Sequence, residues 1–375
     1  MPQADVIVIG TGGVGSAAMC HLARSGAKVI GVDRFAAGHD RGSSHGQTRV
    51  IRQAYFEHPD YVPLLIRSYQ LWKELAEQCG TQLYFETGLL EVGPGDGIVV
   101  PGVLRAASDY GLEVEQLSQD EVHARFPGFQ YPEGHQAVFE RQAGYLLVEE
   151  CVRAHVQQAI LAGAEHRIGE TVLDWQADRD GVRVTTDQRV YHAAAAVITA
   201  GAWSEALLRQ QGVGLRVLRK HLHWLENTDS RYRSDHGCPT FFFENASGFF
   251  YGFPQIDARG VKVAEHSGGE AVTDPLTVAR TTDRQDQQRV ADFVRQSLPG
   301  VSTRQTHHEV CMYTMSPDEH FILDRHPDSS RIVFAAGLSG HGFKFASALG
   351  EALASMVTGN DPATSTAFLR SERFG

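Results

Sequence analysis

The sequence predicts an α/β protein in which a parallel-sheet domain is split along the chain by a second domain of mixed or antiparallel sheet. Three observations carry this. The chain opens on Asp5-Val-Ile-Val-Ile9, then Gly10-Thr-Gly12-Gly13-Val-Gly15, a helix-forming stretch over residues 16–24, and Lys28-Val-Ile-Gly-Val-Asp33. Apolar run, glycine turn, helix and second apolar run make one βαβ unit. Strand, glycine turn and helix recur near the C-terminus over residues 332–336, 337–342 and 343–357. Between them, residues 217–266 alternate with period two, as antiparallel sheet does. A length of 375 residues leaves room for two domains.

Composition narrows the class. Hydrophobic residues make up 42% and charged residues 21%, as in an ordinary globular protein. Against 34 Lys and Arg stand 45 Asp and Glu, a net charge of −11. That balance supplies no field to hold nucleic acid or an anionic membrane. The longest nearly uncharged apolar run, residues 193–203, is about half a bilayer span. The start, Met1-Pro-Gln-Ala-Asp5, lacks a basic n-region and a cleavage site, and the final Arg373-Phe-Gly375 lacks a peroxisomal address. The expectation is a cytoplasmic protein. Its five cysteines, odd in number and without a C-x-x-C pair, are expected to be reduced thiols. Cys20, Cys79, Cys151 and Cys238 are expected to act as small buried hydrophobes.

Between the landmarks, helical periodicity covers residues 61–79, through Leu65, Tyr69, Trp72 and Leu75, and residues 150–162. Residues 88–145 are richer in Gly and Pro with short strand-like pieces, and are expected to be the first visit to the second domain. Val182 to Val190 predicts a hairpin, followed by a buried strand through Ala194-Ala-Ala-Val-Ile-Thr-Ala200 returning to the first domain. From residue 217, Arg219, His221 and His223 face one way, and Leu218, Lys220, Leu222 and Trp224 the other. The expected division is residues 1–85, 146–216 and 308–375 for the first domain, and 86–145 and 217–307 for the second.

Gly10-x-Gly12-x-x-Gly15 lets the chain turn tightly after a strand and approach a pyrophosphate at a helix N-terminus. Asp33, 23 residues after Gly10, ends the next strand, where an acid accepts hydrogen bonds from ribose hydroxyls. The acid disfavours a phosphorylated ribose and leaves FAD or NAD. In Gly42-Ser-Ser-His-Gly-Gln-Thr-Arg-Val-Ile-Arg52, the forks of Arg49 and Arg52 suit a carboxylate or phosphate in a ligand-facing loop. Period two puts Lys262, Ala264 and His266 on one face and Val261, Val263 and Glu265 on the other. Lys262 is then either a sheet-edge lysine or a buried one with a function. Near Cys311, the adjacent His307 and His308 point to opposite faces of a strand, which argues against a metal site. Gly337-Leu-Ser339-Gly340-His341 lacks the final glycine of a nucleophile elbow. H-E-x-x-H and Walker A patterns are absent.

Four blocks carry a resemblance: the Gly42 to Arg52 segment, Tyr251-Gly-Phe-Pro254, Val310-Cys-Met-Tyr-Thr-Met-Ser-Pro-Asp-Glu-His320, and Gly337-Leu-Ser-Gly-His-Gly-Phe-Lys344. With them the chain resembles the monomeric sarcosine oxidase and N-methyltryptophan oxidase family, flavoenzymes of the D-amino-acid oxidase superfamily. The resemblance implies an FAD-binding Rossmann-like domain whose cofactor contacts are Gly10, Gly12, Gly13, Val14, Gly15, Asp33, Arg34, Gly42, Ser43, Ser44, Arg49, Val172, Gly201, Trp203, Gly337, Gly340, Gly342, Phe343 and Lys344. It implies a covalent bond from the Cys311 sulfur to the flavin 8-methyl position. Arg52 and Lys344 would hold a substrate carboxylate, with Tyr251, Tyr313, His266 and Phe242 lining the pocket. Arg49 would lie close to the flavin. Lys262 would activate dioxygen, its amino group resting on ordered water or the flavin. A monomer oxidising a secondary amino acid such as sarcosine to the demethylated amino acid, formaldehyde and hydrogen peroxide is implied.

The chain departs from the family pattern at Ser44 and Gln53, where relatives usually carry histidine, and at Phe242, where the sarcosine enzyme has a flexible side chain. His266-Ser-Gly-Gly269 resembles the N-methyltryptophan branch and Cys311-Met-Tyr-Thr314 the sarcosine branch. Alternatives within the superfamily are oxidation of N-methyltryptophan or of a cyclic or D-amino acid. An NAD-dependent dehydrogenase, and a flavin-binding protein without turnover, are the rivals of other classes.

Overall fold

The computed structural model describes residues 3–208 and 213–375; Met1 and Pro2, used above in the leader argument, lie outside them. Strand β1 (Ala4–Ile9), helix α1 (Gly13–Arg24) and strand β2 (Val29–Asp33) form the expected opening unit. Strand β1 pairs in parallel with β2 and with the returning strand Val190–Ile198, which pairs in parallel with Ser329–Ala336. Glu165–Ile168 joins the far side of β2, also in parallel. The inner strands are covered on both faces and read as continuous apolar runs, whereas the edge strand Glu165–Ile168 is largely exposed. The hairpin is Val182–Thr186 on Val190–Ile198, antiparallel. Helix α1 packs on the helices Val148–Leu161 and Ala346–Val357.

The second sheet holds nine strands and is mixed. Thr240–Asn245 lies parallel to Leu89–Pro94. Around them the pairs Thr240–Asn245 with Gly248–Phe253, Gly248–Phe253 with Val261–Glu265, and Val261–Glu265 with Arg216–Asn227 are antiparallel. Its two faces bury different clusters. Phe241, Phe243, Phe250, Val261 and Val263 pack with Phe293 of the helix Arg284–Ser297. Phe242, Tyr251, Phe253, Ala264, Cys311 and Tyr313 line the opposite face, toward the first domain. The alternation that separates Phe242 from its two phenylalanine neighbours is the strand period itself.

Three expectations need correction. Residues 88–145 contain two helices, Val99–Tyr110 and Gln119–Arg125, beside their strands. Pro101 and Gly102 hid the first; a proline in the first turn costs no hydrogen bond, and Val99, Val100, Val103 and Ala106 supply the buried stripe. The second starts on a Ser118/Glu121 capping box. Strand Val301–Met315 runs along Arg216–Asn227 for its whole length, so the expected boundary at 308 falls inside a strand of the second sheet. Cys79 is only half-buried, with Gln158 Nε2 donating to its sulfur at 3.5 Å, whereas Cys20, Cys151 and Cys238 are buried. Among the described residues no helix is long and apolar enough to cross a membrane.

Candidate active site

A cleft opens where β1, β2 and the returning strand end, the usual ligand position in a parallel sheet. Gly10 turns the chain there at φ +85°, and a Cβ on it would lie 2.6 Å from Thr199 O. Gly12, Gly13, Val14, Asp33, Arg34, Gly42, Ser43, Ser44, Arg49, Val172, Gly201, Trp203, Gly337, Gly340, Gly342 and Phe343 line the cleft with Gly10. Gly15 does not. A Cβ on Gly15 would lie 1.8 Å from Gly10 O, so its role is to let α1 press against the turn.

The cleft's chemistry fits a dinucleotide. Helix α1 begins at Gly12 without a side-chain cap or an acid in its first turn, which leaves backbone N–H groups for an anion. Ser44 Oγ accepts from Gly13 N at 3.1 Å. Asp33 accepts from the N–H groups of Thr11 at 2.7 Å and Phe35 at 2.9 Å, which fixes its carboxylate and leaves lone pairs toward the cleft. Arg34 Nη1 and Trp203 Nε1 are buried on this wall with no partner, and such donors call for an acceptor.

A smaller cavity shares Arg49, Tyr313, Gly340 and Phe343 with the cleft. Arg52, Lys344, Tyr251, Phe242 and His266 converge on it from five segments, as expected; Lys344 faces this cavity and not the cleft. Three lining residues were not expected from the sequence, Val50, Glu57 and His341. Arg52 Nη2 donates to both Glu57 oxygens, at 2.9 and 2.8 Å, so one arm of its fork is already taken by an internal carboxylate. Burial alone would raise the Glu57 carboxyl, but Arg52, with His341 and Lys344 beside it, overrides burial and holds it at about 2. Burial, then Arg52, lowers Lys344 to about 7. Lys344 Nζ donates to His341 O at 2.8 Å. His341 accepts from Tyr55 Oη at Nδ1 and donates from Nε2 to Glu319 O; burial lowers it to about 4 and leaves it neutral. His266, lowered to about 3 by burial, lies 3.3 Å from Tyr313 Oη through Nδ1.

Lys262 and Cys311 line neither cavity. Lys262 is 2% exposed, so it is no sheet-edge lysine. Its Nζ donates to Gly46 O, to Thr48 O at 3.0 Å and to Thr48 Oγ1 at 3.1 Å. These three protein acceptors replace the expected resting partners, water or the flavin, and they match the three donors of an ammonium. Arg49 bridges this region to Cys311, with Nη1 on Thr48 O at 2.9 Å and Nη2 on Cys311 Sγ at 3.1 Å. His307 and His308 do diverge, onto Trp224 and His221 respectively. One cluster among the described residues, His45, Glu149 and Glu309, has its ligand atoms close enough for a metal. Its acids are already engaged, Glu149 by the N–H groups of Gly46 and Gln47 and Glu309 by His45 and His307.

The dinucleotide cleft has its counterpart in known proteins. The model of the FAD dependent oxidoreductase family matches residues 5–356. The chain belongs to that family. This FAD-dependent oxidoreductase is 38% identical to the monomeric sarcosine oxidase of Bacillus sp. (strain B-0618), over 94% of this chain and 92% of that one. It is 40% identical to the monomeric sarcosine oxidase of Streptomyces avermitilis, over 95% and 94%. It is 38% identical to the N-methyl-L-tryptophan oxidase of Yersinia pestis (strain Pestoides F), over 93% and 94%. Among solved structures the fold is shared with NikD, an amino acid oxidase of nikkomycin biosynthesis, at TM-score 0.85, 24% identity and coverage of 98% and 97%. Glycine oxidase from Geobacillus kaustophilus shares it at TM-score 0.81, 20% identity and coverage of 99% and 98%.

Proposed function

We propose that the protein oxidises a small N-methyl amino acid such as sarcosine, consuming dioxygen and water and releasing the demethylated amino acid, formaldehyde and hydrogen peroxide. The observation that carries this is the pairing of Arg52 and Lys344 in an aromatic-lined cavity whose wall is shared with the dinucleotide cleft. Two cations fix a carboxylate, and a fixed carboxylate sets the N-methyl group against the shared wall, where proximity lowers the barrier. FAD, held by the cleft residues, supplies the two-electron acceptor. Tyr251, Tyr313 and neutral His266 line the cavity around the amine. Cys311 is proposed to carry the covalent link to the flavin, with the Arg49 guanidinium at 3.1 Å as the partner a thiolate needs. Lys262 is proposed to serve dioxygen. The names of the sarcosine oxidases support a monomer.

The test is anaerobic addition of sarcosine to the yellow protein, with formaldehyde measured after air is admitted. Bleaching followed by stoichiometric formaldehyde is expected; an unbleached flavin across sarcosine, N-methyl-L-tryptophan and proline would overturn the assignment.

Two further outcomes follow. Because a substrate carboxylate must share Arg52 with Glu57, Arg52→Gln is expected to lower kcat/KM about 10²-fold or more. Glu57→Gln should instead tighten a carboxylate inhibitor several-fold, since a neutral amide competes poorly for the guanidinium. Sarcosine kcat/KM checks the first, and inhibition constants for acetate check the second. The Phe242 ring lies 5.3 Å from Phe56 and 5.9 Å from His266, so it narrows the cavity. Sarcosine is therefore expected to outpace N-methyl-L-tryptophan, and Phe242→Ala to shift the kcat/KM ratio toward the indole by about tenfold or more.

A further inference from the structure

The substrate cavity has a further charged group behind it that the mechanism does not use. Glu91 lies in the strand Leu89–Pro94, where period two sends Leu90 and Val92 into the phenylalanine core and turns Glu91 the other way, toward Arg52. It is 0% exposed, and its Oε1 is 3.6 Å from Arg52 Nε. Neither Glu91 oxygen has a hydrogen-bond partner, and neither has Arg52 Nε. The neighbouring buried acid, Glu140, shows what a structural role looks like. Its two oxygens accept the N–H groups of Gln53 and Ala54 at 2.7 and 3.0 Å, holding the loop after Arg52. Glu91 holds no backbone, and a buried unpaired carboxyl is costly unless its charge has a use.

We propose that Glu91 is a positioning residue for the Arg52 guanidinium, and that a carboxylate seated on Arg52 draws a proton onto Glu91. The inference rests on the assignment of Arg52 to the substrate carboxylate. Arg52 and Lys344 face Glu57, Glu91 and Glu140, two cations against three acids. An arriving carboxylate adds a fourth acid to the same two cations. The acid least solvated is the one that neutralises, and that is Glu91. The ionisable groups facing it are Arg52 and Glu57 from the segment after strand Thr48–Ile51, Glu140 from the paired strand His135–Glu140, and Lys344 from the C-terminal glycine loop. Burial, against the pull of Arg52, already raises Glu91 to about 8, so the exchange falls in an accessible pH range.

By linkage, the affinity for a carboxylate then falls as pH rises through the Glu91 titration, by up to about tenfold per pH unit. Lys344 adds a separate limb beginning near 7, because its lowered value means its charge is present below that pH and lost above it.

The experiment is calorimetric titration of the holoenzyme with acetate near pH 8.5 in two buffers of different ionisation enthalpy, which counts protons taken up. Wild type, Glu91→Gln and Glu91→Val are compared, with inhibition constants followed over about two pH units on either side of 7.5. Wild type is expected to take up more protons than either variant, by up to one. Both variants should lose the upper pH limb, keep the Lys344 limb, and bind acetate more tightly than wild type above pH 8. Equal proton uptake in wild type and a folded, flavin-loaded variant overturns the proposal. Failure of acetate to bind wild type at all overturns the Arg52 assignment, and this inference with it.

Discussion

Lys262→Met is expected to slow the reaction of the reduced enzyme with dioxygen by about 10²- to 10³-fold, while anaerobic reduction by sarcosine stays within a few-fold of wild type. Negative charge develops on dioxygen as it accepts an electron, and a fixed cation in a water-excluded site is worth that much. Lys262 is suited to it by placement. It is buried between Trp224 and Phe253, 5.2 and 4.8 Å from their ring centres, and its three acceptors hold Nζ in one position. It belongs to the strand face that carries the cavity wall but touches neither Arg52 nor Lys344, so removing it leaves the carboxylate clamp intact. Burial, then Arg49, lowers its pKa well below that of a free lysine, against Glu149 and Glu309. A lowered lysine carries its charge at low pH and loses it as pH rises, so the oxidative rate should fall with rising pH, with a midpoint well under the usual lysine value. Stopped-flow traces of the two half-reactions decide it; equal slowing of both in Lys262→Met would falsify the dioxygen role.

In Cys311→Ala, acid precipitation is expected to leave all of the flavin in the supernatant, where wild type retains it in the pellet. The sulfur is 1% exposed and faces Arg49 Nη2 and, at 3.5 Å, Ser43 O, beside the cleft wall formed by Ser43, Met312 and Tyr313. Cys20, Cys151 and Cys238 are buried too, but burial pushes the thiols of all three up, which makes them poor nucleophiles. Cys79 is half-buried at the C-terminal end of helix Val62–Cys79. Flavin that remains bound to the precipitated variant would move the linkage to another residue.

Much of this was legible in the chain because the relevant physics is local. The Gly10 to Asp33 unit announces its strands, turn and helix through residue spacing alone, and period-two alternation put Lys262 and Ala264 on the same face before any contact was known. The four sequence blocks carried the family, and with it Arg49, Arg52, Cys311 and Lys344. The helix over residues 99–110 was masked because Pro101 and Gly102 are poor helix formers whose position in the first turn, visible only in the fold, makes them harmless.

What the sequence alone determined is the dinucleotide unit, the plan of the two main sheets and the identity of the charged residues, since these follow from short-range periodicity and motif spacing. What only the tertiary structure decided is how those charges balance. Glu57 turns back onto Arg52, Glu91 reaches it from another strand, and Lys262 rests on the carbonyls of a loop more than two hundred residues away in sequence. No local pattern encodes these pairings, because each depends on which segments meet and on how little water is left between them.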